Sequence, residues 1–246
     1  MILPDRSDSL HKAWMYRLLT GISDDSTLTN LLYFKGGTCA AMRELLNRFS
    51  VDLDFDYVGS PDNLTTVNIH LEIIFKKLGL IIKNQSSRVP QYIVKYPNRR
   101  DNERSTLKID VVTPPPEANK YEKVRFDEID RILTCQTIPT MFANKLVALI
   151  DRYEKSGGIA GRDLYDINYF FHQNYRYDVD VIKERRQTAS IKQYFEEIVD
   201  FVQTRITQIV IDQDLNALLS PGAFKKIRKI LKQETLVFLQ DEIARL

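Results

Sequence analysis

Asp52, Asp54 and Asp56 fall at every second position of the segment Ser50–Val58, and Val51, Leu53, Phe55 and Tyr57 take the alternate positions. A period of two belongs to a strand with one apolar face and, here, one acidic face. Carboxylates two residues apart on a strand face stand roughly 7 Å apart. At that spacing like charges repel and raise one another's pKa unless something compensates. A divalent cation is the simplest compensation: magnesium takes hard oxygen ligands and binds through one or two carboxylates together with substrate phosphates. Asp52-Leu53-Asp54 therefore reads as a metal clamp. A solvated strand with its acids in water is the plainer alternative.

Gly36-Gly37-Thr38 precedes these acids by about one crossing of the fold. Glycines allow close backbone approach and leave N–H groups available to phosphate oxygens, and a helix beginning at Thr38 adds a dipole that favours anions. A phosphate cradle beside a metal clamp is what nucleotide chemistry requires; an ordinary glycine turn is the bland reading. A further acid, Asp110, shares a strand face with Lys108 in Ser105–Val112. A carboxylate on a neighbouring strand binds a second metal or serves as general base, and Lys108 would contact a phosphate. The rival for this pair is a cross-strand ion pair with the acidic strand.

These residues need elements to hold them. Periodicity predicts helices at Leu10–Leu19, Thr38–Asn47 and Asn63–Leu78, and strands at Leu31–Phe34, Ser50–Val58, Leu80–Asn84, Gln91–Tyr96 and Ser105–Val112. The run Thr113-Pro114-Pro115-Pro116 is expected to end that sheet, because proline cannot donate to a central ladder. Helical patterns follow at Pro139–Tyr153, Arg162–His172, Val179–Arg186, Ile191–Ile211 and Phe224–Ala244. The expected class is α+β: an α/β core over residues 1–135 and a helical domain over 136–246.

The chain has 246 residues, 43% hydrophobic and 28% charged, with a net charge of +2. That composition suits a globular protein with a sizeable core and neither demands nor excludes nucleic acid. No apolar run is long enough to cross a bilayer, and the N-terminal segment lacks the apolar stretch of a secretory signal. Cys39 and Cys135 have no zinc-site spacing and are too few for a disulfide framework, so a reducing cytoplasm is the expected location. Cys39 reads as a small packing residue, and His11, His70 and His172 have no partners at ligand spacing. Basic clusters at Lys183–Arg186 and Lys225–Lys232 are solvated helix faces or phosphate-tracking surfaces.

Lys35-Gly36-Gly37-Thr38 followed by Arg48-Phe49-Ser50-Val51-Asp52-Leu53-Asp54-Phe55 resembles the AbiEii/AbiGii-type nucleotidyltransferase family, which includes toxins of bacterial toxin–antitoxin and abortive-infection systems. Two later elements are also similar to it: Ala143–Leu149, with Lys145, and Gly161–Ile167, with Asp163 in an R-D-x-x-D pattern. Cys39-Ala40-Ala41 departs mildly from the family pattern. The resemblance implies a polymerase-β-like nucleotidyltransferase core, a mixed sheet flanked by helices, followed by a helical C-terminal portion. It implies that Gly36, Gly37 and Thr38 hold a nucleoside triphosphate, with Lys35 and Ser50 of the same motifs beside it. Asp52 and Asp54 would bind magnesium (manganese as its substitute), Lys145 would contact phosphates, and Asp163 would complete the site, a role for which Asp110 is a rival. The expected reaction transfers a nucleoside monophosphate to an acceptor, RNA and in particular tRNA, with an antitoxin as protein partner. A non-catalytic nucleotide sensor within a toxin–antitoxin assembly is the alternative; a D-x-D glycosyltransferase fits less well, because that class does not require Gly-Gly-Thr upstream.

Overall fold

The structure, a computed structural model, describes residues 1–6, 8–97 and 104–246. The chain forms two compact units: Met1–Leu45, Phe49–Pro115 and Tyr121–Gln136 make the first, and Leu46–Arg48, Pro116–Lys120 and Thr137–Leu246 the second.

The first unit runs α1 (Asp8–Ser23), α2 (Ser26–Leu31), β1 (Leu32–Lys35), α3 (Gly36–Met42), β2 (Asp52–Tyr57), α4 (Leu64–Lys77), β3 (Ile81–Gln85), β4 (Tyr92–Lys95), β5 (Thr106–Val112), β6 (Tyr121–Phe126) and β7 (Arg131–Gln136). The strands form one mixed sheet of order β3-β4-β5-β2-β1-β7-β6. At its centre β2 pairs antiparallel with β1 and parallel with β5. The alternation in β2 is real: Leu53 and Phe55 are buried while Asp52 and Asp54 are half-buried. The apolar face is covered by helices. Phe75 of α4 meets Tyr92 of β4 edge-on at 5.1 Å. On α1 the buried residues His11, Trp14, Met15, Leu18, Leu19 and Ile22 recur at helical spacing and form one stripe.

The proline run does not end the sheet. It terminates β5 only, and the two further strands, β6 and β7, join the opposite edge, where β7 lies parallel to β1. The helix after the glycines is also shorter than its periodicity suggests. Glu44 takes a left-handed φ of 60°, and the amides of Arg43, Glu44 and Leu45 turn back onto the carbonyls of Cys39, Ala41 and Ala40, which closes α3 at Met42. An additional short helix, α2, starts where the Asp25 carboxylate accepts from the amides of Thr27 and Leu28.

The second unit is helical: α5 (Ile138–Ser156), α6 (Gly161–His172), α7 (Val179–Arg186), α8 (Ile191–Arg205), α9 (Gln208–Leu215), α10 (Pro221–Ile227) and α11 (Leu231–Arg245). Thr137 caps the start of α5 and Gly157, at φ 69°, ends it. A Cβ at Gly161 would lie 2.8 Å from the Ile211 Cα and the Val210 carbonyl oxygen, so glycine is what lets α6 cross α9 so closely. Two segments expected as single helices are each broken. Ile191–Ile211 divides where the Thr207 hydroxyl accepts from the Val210 amide and restarts the helix as α9. Phe224–Ala244 divides between α10 and α11. Among the described residues no helix is long and apolar enough to cross a membrane.

One interaction ties α1 to the entry of the acidic strand. His11 is fully buried, its Nε2 donates to the Val51 carbonyl at 2.9 Å, and its Nδ1 lies 3.0 Å from the Tyr96 hydroxyl. Burial lowers its pKa to about 4; the Val51 carbonyl opposes the shift and the Arg104 charge adds to it. The unfolded imidazole takes up its proton near pH 6.5, whereas the folded one stays neutral to about pH 4. The stability that neutral His11 contributes is therefore complete above about pH 6.5 and is lost progressively as pH falls towards 4, by something on the order of 3 kcal/mol. Urea unfolding of wild type and His11→Gln at pH 7 and pH 4 measures this. Wild type should lose more stability than the variant by that margin, and equal losses would contradict the assignment.

Candidate active site

In the first unit β1 delivers the chain into Gly36, and the antiparallel ladder sets Lys35 opposite Asp54. Gly36 has φ 78°. A Cβ there would lie 2.3 Å from Asp54 Oδ2 and 2.9 Å from both Cβ and Cγ of Asp54. The glycine backbone thus rests directly on the Asp54 carboxylate, an approach that a side chain would prevent. The Thr38 hydroxyl donates to the main-chain carbonyl of Asp52 at 2.5 Å. The Gly36–Thr38 turn and the Asp52–Asp54 face are therefore adjacent, with Gly37, Thr38 and Ser50 buried beside them. The Thr38 hydroxyl proton is thus engaged by Asp52 and only its amide is left to donate at the turn. The start of α3 has no side-chain cap, so its first amides lack intrahelical partners.

The acids of this face are compensated unequally. Asp56 is fully buried; its Oδ1 lies 2.6 Å from Lys35 Nζ, and its Oδ2 accepts from Gln136 Nε2 at 2.6 Å and the Tyr121 hydroxyl at 2.9 Å. Lys35 is thereby engaged inside the fold. In the parallel ladder Asp54 is level with Asp110, and Asp52 with Lys108. Lys108 makes a same-strand ion pair with Asp110 Oδ2 at 2.6 Å, and Gln91 Nε2 donates to Asp110 Oδ1 at 2.6 Å. Burial opposes the charge of Lys108, but the Asp110 hydrogen bond and the charges of Asp110, Asp52 and Asp54 outweigh it and raise its pKa. Among the described residues no three of His, Cys, Asp and Glu converge on a point where a metal ion would sit. Two half-buried carboxylates beside a glycine turn nonetheless make a hard-oxygen donor set that fits a magnesium ion sharing its shell with phosphates. Asp110 already accepts from Gln91 on one oxygen and pairs with Lys108 on the other.

In the second unit two acids of α6 face two bases of α5. Arg152 Nε lies 3.0 Å from Asp163 Oδ2, and Lys145 Nζ lies 2.8 Å from Asp166 Oδ2. Asp166 also receives Arg48 through Nε at 2.5 Å and Nη2 at 2.7 Å, and both charged groups of that pair are buried. Burial would raise the Asp166 pKa; the Arg48 and Lys145 charges overcome it and hold the carboxylate below its usual range. Within this unit, then, Asp166 is the acid that holds Lys145, and Asp163 serves Arg152. Sequence reasoning gave Arg48 and Asp166 no role: they stand 118 positions apart, and no local period links them.

In the basic cluster of α7 both arginines are engaged in ion pairs, while Lys183 is exposed. Arg185 pairs with Asp151 at 2.6 Å, and Arg186 with Asp151, Glu154 and Glu197 at 2.7–3.1 Å. Lys225, Lys226 and Lys229, in contrast, are exposed. A cavity of about 770 Å³ in the first unit, bounded by Thr20, Gly21, Ile73, Ile74, Leu78 and Ile129 among others, includes none of the predicted site residues.

The family model for the nucleotidyl transferase AbiEii toxin of type IV toxin–antitoxin systems matches residues 17–233. No curated protein matches the sequence. Among solved structures, a candidate nucleotidyltransferase from H. pylori is similar over 98% of this chain and 97% of its own, with 18% identity and a TM-score of 0.61. JHP933 from Helicobacter pylori is similar over 100% of this chain and 95% of its own, with 21% identity and a TM-score of 0.57. These likenesses show a shared nucleotidyltransferase fold.

Two substitutions test the geometry. Gly36→Ala forces a left-handed alanine, at a cost of about 1–2 kcal/mol, and displaces Asp54; it should lower the melting temperature and weaken magnesium-dependent triphosphate binding in calorimetry. Unchanged binding would mean that the turn and Asp54 do not act together. Asp166→Asn removes the charge that Arg48 and Lys145 share and should cost about 3–5 kcal/mol in urea unfolding. Arg48→Met combined with Asp166→Leu should recover a large part of that loss, since replacing a buried pair with apolar groups removes the uncompensated charge.

Proposed function

We propose that this chain, which belongs to the AbiEii nucleotidyl transferase toxin family of type IV toxin–antitoxin systems, transfers a nucleoside monophosphate from a magnesium-bound nucleoside triphosphate to an acceptor hydroxyl on RNA, tRNA foremost, in the cytoplasm. The observation that carries this reading is the contact of Gly36 with Asp54, which sets a phosphate cradle against a carboxylate clamp.

Asp52 and Asp54 hold the divalent ion. That ion, magnesium with manganese as substitute, supplies charge neutralisation and alignment of the phosphates when bound. Gly36 admits the triphosphate close to the main chain, and the uncapped amides of Gly36–Thr38 donate to its oxygens. Lys108, half-exposed and level with Asp52, is the cation of the sheet face that turns from Asp110 to a phosphate. Asp110, relieved of Lys108, accepts the proton of the attacking hydroxyl. The new bond forms at the α-phosphorus and pyrophosphate leaves. Lys145, the lysine to which the resemblance gives a phosphate contact, is held by Asp166 within the helical unit. Lys35, held by Asp56, shapes the turn from behind. The exposed lysines 225, 226 and 229 provide the RNA-backbone contact, where each phosphate neutralised releases a counterion. An antitoxin is the expected partner of a type IV system.

The test is label transfer from each of the four α-labelled triphosphates to bulk RNA and to tRNA, with magnesium. Asp52→Asn and Asp54→Asn, shown to be folded by thermal melting, should each lower the rate by at least about 100-fold, and the same variants should relieve any growth arrest that wild type causes on expression. Triphosphate binding without transfer to any acceptor would replace this reading with nucleotide sensing.

A further inference from the structure

The cavity of about 770 Å³ in the first unit shares no residue with the acidic clamp. It is lined by α1, the last turns of α4 and the turn that joins β6 to β7. Its volume is in the range that encloses a small organic molecule. Gly21 keeps it open between the helices: a Cβ there would lie 2.8 Å from Ile74 Cγ2, so α1 and α4 approach with no side chain between them. Ile74 and Ile129 are buried in its lining, and Ile73 is 59% exposed.

Five carboxylates also line the cavity, and each is already met within the fold. Asp24 pairs with Arg131 at 2.6 Å. Asp25 accepts from the amides of Thr27 and Leu28 and lies 2.7 Å from His70 Nδ1. Glu128 receives the N-terminal amine and Lys12, each at 3.1 Å, and the Tyr16 hydroxyl at 2.7 Å. Arg125 pairs with both Asp127 and Asp130. The two cations of the lining, Arg17 and Lys77, are treated differently. Among the described residues neither has a carboxylate partner; Arg17 lies over the Trp14 ring at 4.9 Å, and both side chains are exposed. Arg17 stands one turn before Gly21 on α1, and Lys77 one turn after Ile73 on α4. Each helix therefore presents a free cation and an apolar position on the same face.

We propose that this cavity is a binding site for a small amphipathic monoanion, a carboxylate on a hydrocarbon body. Arg17 and Lys77 take the carboxylate, and Gly21, Ile73, Ile74, Leu78 and Ile129 enclose the body. Charge selects this class over its rivals. A cationic ligand would have to displace a donor from one of the five satisfied carboxylates, whereas an anion meets two cations with nothing to give up. A polyanion such as a nucleotide would bring several charges against those same carboxylates and leave the isoleucines without an apolar partner.

The experiment titrates the folded full chain by calorimetry at low salt with octanoate, octanol and octylammonium, which share a hydrocarbon body and differ in charge. Octanoate should bind one per chain with a Kd of about 1 mM or tighter, ahead of octanol, and octylammonium should bind most weakly. Arg17→Gln combined with Lys77→Gln should weaken octanoate about fivefold, the worth of two exposed ion pairs, and leave octanol as it was. Ile73→Glu, a change at an exposed position whose fold is checked by thermal melting, should weaken octanoate about tenfold by removing apolar contact and adding a like charge. Octylammonium ahead of octanoate would overturn the charge assignment and with it the proposal. Octanoate binding that both variants leave unchanged would place the ligand elsewhere, and no binding at all would remove the site. A wild type that sediments as a dimer, separates in Ile73→Glu and takes up no octanoate would give the cavity to a second copy of the chain and likewise overturn the proposal.

Discussion

Four carboxylates crowd one face of the first unit's sheet: Asp52, Asp54 and Asp56 on β2 and Asp110 level with Asp54 on β5. Repulsion at these distances is met differently at each position, and the differences organise the unit. At the inner end Asp56 is sealed among Lys35, Gln136 and Tyr121. Such a carboxylate is fully satisfied by the fold and has no capacity to spare. At Asp110 the compensation comes from a side chain that is half-exposed, Lys108, and from a neutral amide, Gln91. At Asp52 and Asp54 the strand is half-buried and the neighbouring element is a backbone turn of glycine. At Asp56 the charge is therefore met inside the fold by side chains arriving from β1, β6 and β7.

The helical unit handles like charges in the opposite manner. Asp163 and Asp166 lie one turn apart on α6, and Arg152 and Lys145 lie two turns apart on α5. The two helices run antiparallel along this ladder, so the acid nearer the start of α6 meets the base nearer the end of α5. Arg48 adds a second cation to Asp166 in a bidentate geometry that suits a planar guanidinium and a carboxylate. Asp166 carries more opposite charge than it needs, and Asp163 carries its due.

How much of this was legible beforehand follows from the range of each interaction. The period of two in β2 announced the acidic face, because side-chain alternation is written in consecutive residues. The glycine pair announced a turn for the same reason. Neither pattern could disclose that Asp56 is spent on Lys35, since its other partners, Tyr121 and Gln136, arrive from strands β6 and β7 that the proline run seemed to forbid. The R-D-x-x-D spacing revealed that two acids share a helical face and nothing about which base each would meet; that depends on the antiparallel setting of α5 against α6. The basic run Lys183–Arg186 carried the same ambiguity. Its arginines found Asp151, Glu154 and Glu197, and a charge count along the chain does not distinguish a paired arginine from a solvated one. His11 was passed over because its partners are a main-chain carbonyl and a tyrosine hydroxyl, neither of which has a ligand spacing to detect.

The position of Gly36 decides how rigid the site is. A carboxylate clamp is effective when its oxygens are already placed for the charge they will meet, since reorienting them during reaction costs the stabilisation they supply. Asp54 cannot swing towards α3, because the Gly36 backbone occupies that side, and its strand is hydrogen-bonded on both edges to β1 and β5. Asp52 has its main chain pinned by the Thr38 hydroxyl. The adjustable member of the group is then Lys108, on a long stem whose end is half-exposed. On the reading proposed above, an incoming triphosphate would redirect Lys108 while the carboxylates keep their places.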